Sequence, residues 1–286
     1  LSVDETLRGA FPDSTFSGKV HFIEHHLAHL ASAFLVSPFE EAVTVSVDGF
    51  GDFASAAWGI GHGTGIEIHG RVYFPHSLGI FYQAMTQYLG FPHYGDEYKV
   101  MGLAPYGEPR YLDKLRGIVH LRTDGSFRLN LDYFRHVREK VEYTWDSGAP
   151  AVGTLYTEAL EQLFGPGRKQ AEPLTQYHRD LARSVQAMYE EAFFHLVNTL
   201  HGQYGQPALT LAGGCAMNSV ANGKVYRNTP YQRVYVQSAA GDAGGAIGAA
   251  MVAWHRANGT VRSEAMIHAY WGPQFSDNEI ELLLQE

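Results

Sequence analysis

Three short apolar strands in this chain each run into a glycine-rich turn, and that recurring junction constrains the fold most. Glu41 to Val47 alternates small and β-branched residues and leads to Asp48-Gly49-Phe50-Gly51. Ala208 to Ala212 ends at Gly213-Gly214, and a helix follows. Val234-Tyr235-Val236 leads to Gly241-Asp242-Ala243-Gly244-Gly245 and an Ala-rich helix ending near Trp254. The 31 glycines follow no collagen-like period. They mark tight turns where the backbone approaches something closely.

Other elements fall around these junctions. Lys19 to Ile23 reads as a short strand, and a helix through Ala28 and Leu35 is closed by Pro38. Ser55 to Ile60 and Ile66 to Phe74 flank a Gly-rich turn, so an antiparallel meander begins at Asp48. Helical spacing over Leu78 to Leu89 stops at Gly90, and Lys99 to Gly107 is rich in helix breakers and reads as irregular. Thr175 to His201 carries the clearest stripe: Leu181, Val185, Met188, Ala192, Leu196 and Leu200. Residues 110–170 are polar without a period and read as a variable insertion. Residues 270–286 read as an exit linker and the start of a further helix, Ser276 to Gln285.

Composition excludes several classes. With 45% hydrophobic and 18% charged residues among 286, the chain is globular, as one large domain or two smaller ones. Cys215 is the single cysteine, which excludes an internal disulfide and a multi-cysteine zinc site. A formal charge of −9 argues against a large non-specific nucleic-acid surface. No stretch of about 18 apolar residues offers a membrane span, and the first residues lack a signal-peptide pattern. The expected location is the cytoplasm. Leu1 to Ser17 lacks an initiator Met and reads as the middle of a longer protein.

Several residues can carry chemistry, each with a plain structural alternative. His25 and His29 share a helix face, so both imidazoles can reach one ion; with fifteen histidines the spacing also arises by chance. Asp48 emerges at a Gly-rich turn, either towards a ligand or as a turn residue. Asp242 stands before a helix, as an N-cap or facing a ligand across the helix start. Gly213-Gly214-Cys215-Ala216-Met217-Asn218 opens a helix whose N-terminus favours an anion, or is a tight turn. Lys99 can reach a phosphate or lie in solvent. There is no G-x-S-x-G, and His25-His26-Leu27-Ala28-His29 lacks the Glu of H-E-x-x-H.

Together the segments around His25-His26-Leu27-Ala28-His29, Val47-Asp48-Gly49, Pro75-His76-Ser77-Leu78-Gly79, Lys99 to Gly107, Leu211 to Asn218 and Gly241 to Ala246 resemble the NodU/CmcH O-carbamoyltransferases. The resemblance runs in order from about residue 19 to 282. It implies an α/β, two-lobed actin/Hsp70/sugar-kinase-type fold with mixed sheets and an incomplete first lobe. It also implies a reaction in which ATP and carbamoyl phosphate give a carbamoyl-adenylate, whose carbamoyl passes to a hydroxyl of a small-molecule or sugar acceptor. By the same resemblance, His25, His29, Asp48 and Asp242 are the ligands of a divalent metal, Fe(II) in kind. Gly213, Gly214 and Asn218 match the nucleotide-contacting turn. Asp48, Gly49, Ser77 and Asp242 fall where the adenylate is expected, and Lys99 is a further match.

The chain departs from the family in two ways. The His-Asp strand and turn that open family chains are not found before residue 25, and the general base is expected there. The C-terminal adenylate-forming domain is not found either. Residues 1–269 then read as the transferase domain, with 110–170 as its insertion. Residues 270–286 lead to that further domain, and the 286-residue chain alone is expected not to run the full reaction. Two other readings stand beside this one: a relative that carbamoylates a tRNA-linked amino acid, and a nucleotide-binding scaffold without catalysis.

Overall fold

In the computed structural model, which describes residues 2–15, 17–144, 150–259, 261–262 and 265–285, five strands make the central sheet. They are β1 (Glu41–Gly51), β2 (Ala54–His62), β3 (Gly65–Tyr73), β4 (Ala208–Ala212) and β5 (Arg233–Val236), in spatial order β3-β2-β1-β4-β5. The first three form the expected antiparallel meander, and β4 and β5 add in parallel beyond β1. The sheet is therefore mixed and the chain α/β.

Five helices position the site: α1 (His25–Phe34), α2 (Leu78–Tyr88), α3 (Glu97–Leu103), α4 (Gln176–Tyr204) and α5 (Asp242–Asn258). The stripe predicted on α4 is buried throughout, and its leucines join Val43, Val45 and Val47 of β1 in the main core. Complete burial of each such aliphatic side chain contributes roughly 1.5–3 kcal/mol as an upper bound. Residues 110–170 add to this core through Leu115, Ile118, Phe127, Leu155 and Leu160.

Successive strand residues point to opposite faces, so Thr44, Ser46 and Asp48 turn to the other side, where α1 lies. Thr44 donates to the Leu30 carbonyl at 3.4 Å, and Ser46 meets Nδ1 of His26 at 3.0 Å. A smaller core of Ala31, Phe34, Leu35, Phe39, Ala42, Ala208 and Val252 closes this face. Helix α5 packs on α1 at Gly248, where a Cβ would overlap the Ala28 carbonyl. That close approach brings the first turn of α5 over the first turn of α1.

The structure corrects three local expectations. Lys19–Ile23 is not a strand; its backbone runs as coil, paired with no strand among the described residues. Lys99–Gly107 is largely helical: α3 spans Glu97–Leu103 and a 3-10 turn follows at Ala104–Tyr106. Burial of Val100 and Ala104 outweighs Gly102, and Pro105 sits in the first turn, where its missing N–H costs nothing. Asp48 does not end its strand. Pairing with β2 breaks after Val47↔Ala56 and resumes at Gly51↔Ala54, so residues 48–50 bulge out of the ladder.

Candidate metal centre

Asp48 gathers the site around itself. The parallel register Ser46↔Ala212 sets the end of β4 beside the bulge, so Gly213-Gly214 lies against Val47 and Asp48. Gly213 has φ of 85°, and a Cβ on Gly214 would stand 2.7 Å from Asp48 Oδ1. With no side chain there, the Gly214 N–H donates to Oδ1 at 2.9 Å. Ser77 is buried, donates to the Asp48 carbonyl at 3.0 Å and accepts the Ile80 N–H at 3.1 Å as cap of α2. Backbone and one carboxylate oxygen of Asp48 are thus fixed by neighbouring elements.

The other oxygen, Oδ2, faces the two histidines. It lies 3.0 Å from Nε2 of His25 and 3.1 Å from Nε2 of His29, and those nitrogens are 3.0 Å apart. Oδ1 of Asp242 is 3.4 Å from His29 Nε2 and 3.8 Å from His25 Nε2. One ligand atom from each of the four residues lies within 4.8 Å of all the others. Of the two readings of Asp242, the N-cap is corrected: Gly241 is the cap residue, and Asp242 is the first residue of α5, its carboxylate turned to the histidines.

Electrostatics keep the Asp48 carboxylate charged. Burial works to raise the Asp48 pKa, but hydrogen bonds from His25, His29 and Gly214 outweigh it and hold the carboxyl well below the usual range. The Asp48 hydrogen bond raises His25 against the effect of burial. His26 turns away to Ser46, and burial lowers its pKa. An ionised Asp48 only accepts, so contact with both histidines requires a proton on each Nε2. Those two protons would then face each other across 3.0 Å. No protonation state satisfies all three contacts, whereas a cation among the three atoms does. Spacings of 3.0–3.1 Å are also the edge lengths expected for donors held at right angles about 2.1 Å from an ion. His29 Nδ1, buried, has no partner among the described residues, which leave this ring without the outer hydrogen bond that usually orients a ligating histidine.

The remaining candidates divide. Gly49 adjoins Asp48, and a Cβ there would meet no described residue within 4 Å beyond its two chain neighbours. Asn218 is buried, paired with Gln186 through two 3.0 Å hydrogen bonds, and caps Ala221; its amide serves the interior. Lys99 is tied to Asp96 at 2.6 Å, outside the cluster. Burial raises the pKa of Cys215, which argues against a reactive thiol.

Sequence reasoning missed Tyr94. Burial raises its phenol pKa, and the charges of the Asp48 and Asp242 carboxylates raise it further. Its ring meets that of Tyr143 edge-on at 6.4 Å. Burial also raises the Glu97 carboxyl on α3.

Residues 12–251 match the family model described as carbamoyltransferase N-terminus. The uncharacterized protein sll1178 of Synechocystis sp. is 43% identical over 271 residues, covering 92% of this chain and 42% of that protein. Nodulation protein NolNO of Sinorhizobium fredii is 36% identical over 267 residues, with 92% and 35% covered. Nodulation protein NolO of Bradyrhizobium diazoefficiens is 35% identical over 260 residues, with 90% and 43% covered. The chain thus spans less than half the length of these relatives. No helix among the described residues is long and apolar enough to cross a membrane.

Proposed function

Because this chain belongs to the carbamoyltransferase family and matches its N-terminal region, we propose that it is the transferase part of an O-carbamoyltransferase. It takes the carbamoyl group of a carbamoyl-adenylate, made from ATP and carbamoyl phosphate, and passes it to a hydroxyl of a small-molecule or sugar acceptor. The mixed sheet, with α1 and α5 on one face and α2 and α4 on the other, is read as one lobe of an actin/Hsp70/sugar-kinase-type fold.

The observation that carries this reading is the triangle of His25 Nε2, His29 Nε2 and Asp48 Oδ2, with Asp242 at its side. Two imidazoles and two carboxylates suit a divalent ion such as Fe(II). When bound, the ion supplies Lewis-acid charge to offset the negative charge growing on the departing phosphate. The chain's own residues do the rest. Gly214 and Ser77 hold Asp48 so that one oxygen remains directed at the histidines. Gly49 leaves its backbone open for close approach of the adenylate. The acceptor oxygen forms a bond to the carbamoyl carbon as the bond from that carbon to the AMP oxygen breaks. The acceptor's proton must pass to a base within about 3 Å, and none of the residues named here is assigned that role.

The test is calorimetric titration of the Fe(II)-loaded chain with the stable analogue 5′-O-(N-carbamoylsulfamoyl)adenosine. The expected result is ion-dependent binding by the natural sequence and none by the double variant His25→Ala, Asp48→Asn. Binding of the analogue without an ion, or to the double variant, would overturn the reading.

A further inference from the structure

The two residues joining β1 to β2, Asp52 and Phe53, have φ of 48° and 63°. Two-residue hairpin turns ask for such angles, and Asn-Gly or Asp-Gly usually supplies them. Asp52 conforms; Phe53 does not, since a bulky side chain is strained in left-handed backbone. Nor does packing explain Phe53, whose side chain is 82% exposed. Strain of this kind persists only where the surroundings hold it.

The hold is at Asp52. Its Oδ2 accepts the backbone N–H of His25 at 2.8 Å. His25 is the first residue of α1, so this N–H is one of the donors that a helix start leaves without an internal partner. Glu24, the cap residue, takes the Leu27 N–H at 2.7 Å. The two carboxylates therefore serve different donors of the same first turn. On the other side of the tip, a Cβ on Gly51 would overlap the His25 ring. The ring rests on the Gly51 backbone while the amide is held by Asp52.

We infer that Asp52 is a positioning residue for this centre. By fixing the N–H of His25 it sets where α1 begins, and with it the direction of both imidazoles. The consequence for the ion rests on the reading under Proposed function; the placement of the helix does not. An Asn at 52 tolerates left-handed backbone and still offers an oxygen. A Gly relieves the backbone and offers nothing, which separates the hydrogen bond from turn strain.

The experiment compares Asp52→Asn and Asp52→Gly in this chain by Co(II) titration and by amide hydrogen exchange without metal. Asp52→Asn should bind Co(II) within about threefold of the natural sequence and keep His25 protected. Asp52→Gly should weaken Co(II) by about tenfold or more, and speed exchange at His25 about tenfold or more while Leu30 to Phe34 stay protected. Unchanged exchange and affinity in Asp52→Gly, or equal losses in both variants, would overturn the inference. If the natural sequence takes up no Co(II), the ion reading falls and exchange at His25 alone decides the placement.

Discussion

Alternate residues of β1 face two environments that obey different rules. Val43, Val45 and Val47 sit with the α4 stripe in the main hydrophobic core, where volume and shape decide. Thr44, Ser46 and Asp48 meet α1 through hydrogen bonds, and each names a particular partner: Leu30, His26, and the His25–His29 pair. The apolar face supplies stability, and the polar face supplies a geometry. One strand can do both because its two sides are separated by the sheet itself.

If that division holds, substitutions on the two faces should fail in different ways. The largest effect is expected from Asp48→Ala, which removes an oxygen facing both histidines. Divalent-ion affinity should fall by at least about 100-fold, more than loss of an outer partner usually costs, as read by chelator competition. Circular dichroism should still report a folded chain. Across the sheet, Val45→Ala should lower unfolding free energy by about 2 kcal/mol through lost burial and a small cavity. Its ion affinity should stay within about threefold, and a larger change would break the comparison.

Gly49→Ala sharpens it. Among the described residues, none beyond its two chain neighbours lies within 4 Å of the added methyl, so stability should move by less than about 0.5 kcal/mol. Binding of the adenylate analogue should nevertheless fall about tenfold if the ligand covers that backbone. The smallest effect is expected from Gly245→Ser. A Cβ there would stand 3.7 Å from His29 Nδ1, close enough for a hydroxyl to supply the missing outer hydrogen bond. Ion affinity should rise by a few-fold, seen in the same competition assay.

The two faces also differ in how much their residues disclosed beforehand. The α4 stripe and the strand alternation follow from local periodicity, so the elements of the apolar side could be read directly. His25 and His29 were readable as a pair because a helix sets residues four apart on one face. Their meeting with Asp48 and Asp242 depends on strand register and on the α1–α5 approach at Gly248, neither of which is local. Asn218 announced a turn, but its partner Gln186 lies 32 positions away on α4. Asp52 looked like an ordinary turn residue because its acceptor role depends on a hairpin folding back to His25. Lys99–Gly107 misled through Gly102 and Pro105, whose breaking tendency yields to the burial of Val100 and Ala104.

The most direct test of the account is an anomalous-difference map at the iron edge from crystals of the chain grown with Fe(II). The account predicts one dominant peak about 2.0–2.2 Å from Nε2 of His25 and of His29 and from an oxygen of Asp48, with Asp242 completing the set. A map without a peak there, or with the ion elsewhere while these side chains hold the same positions, would contradict it.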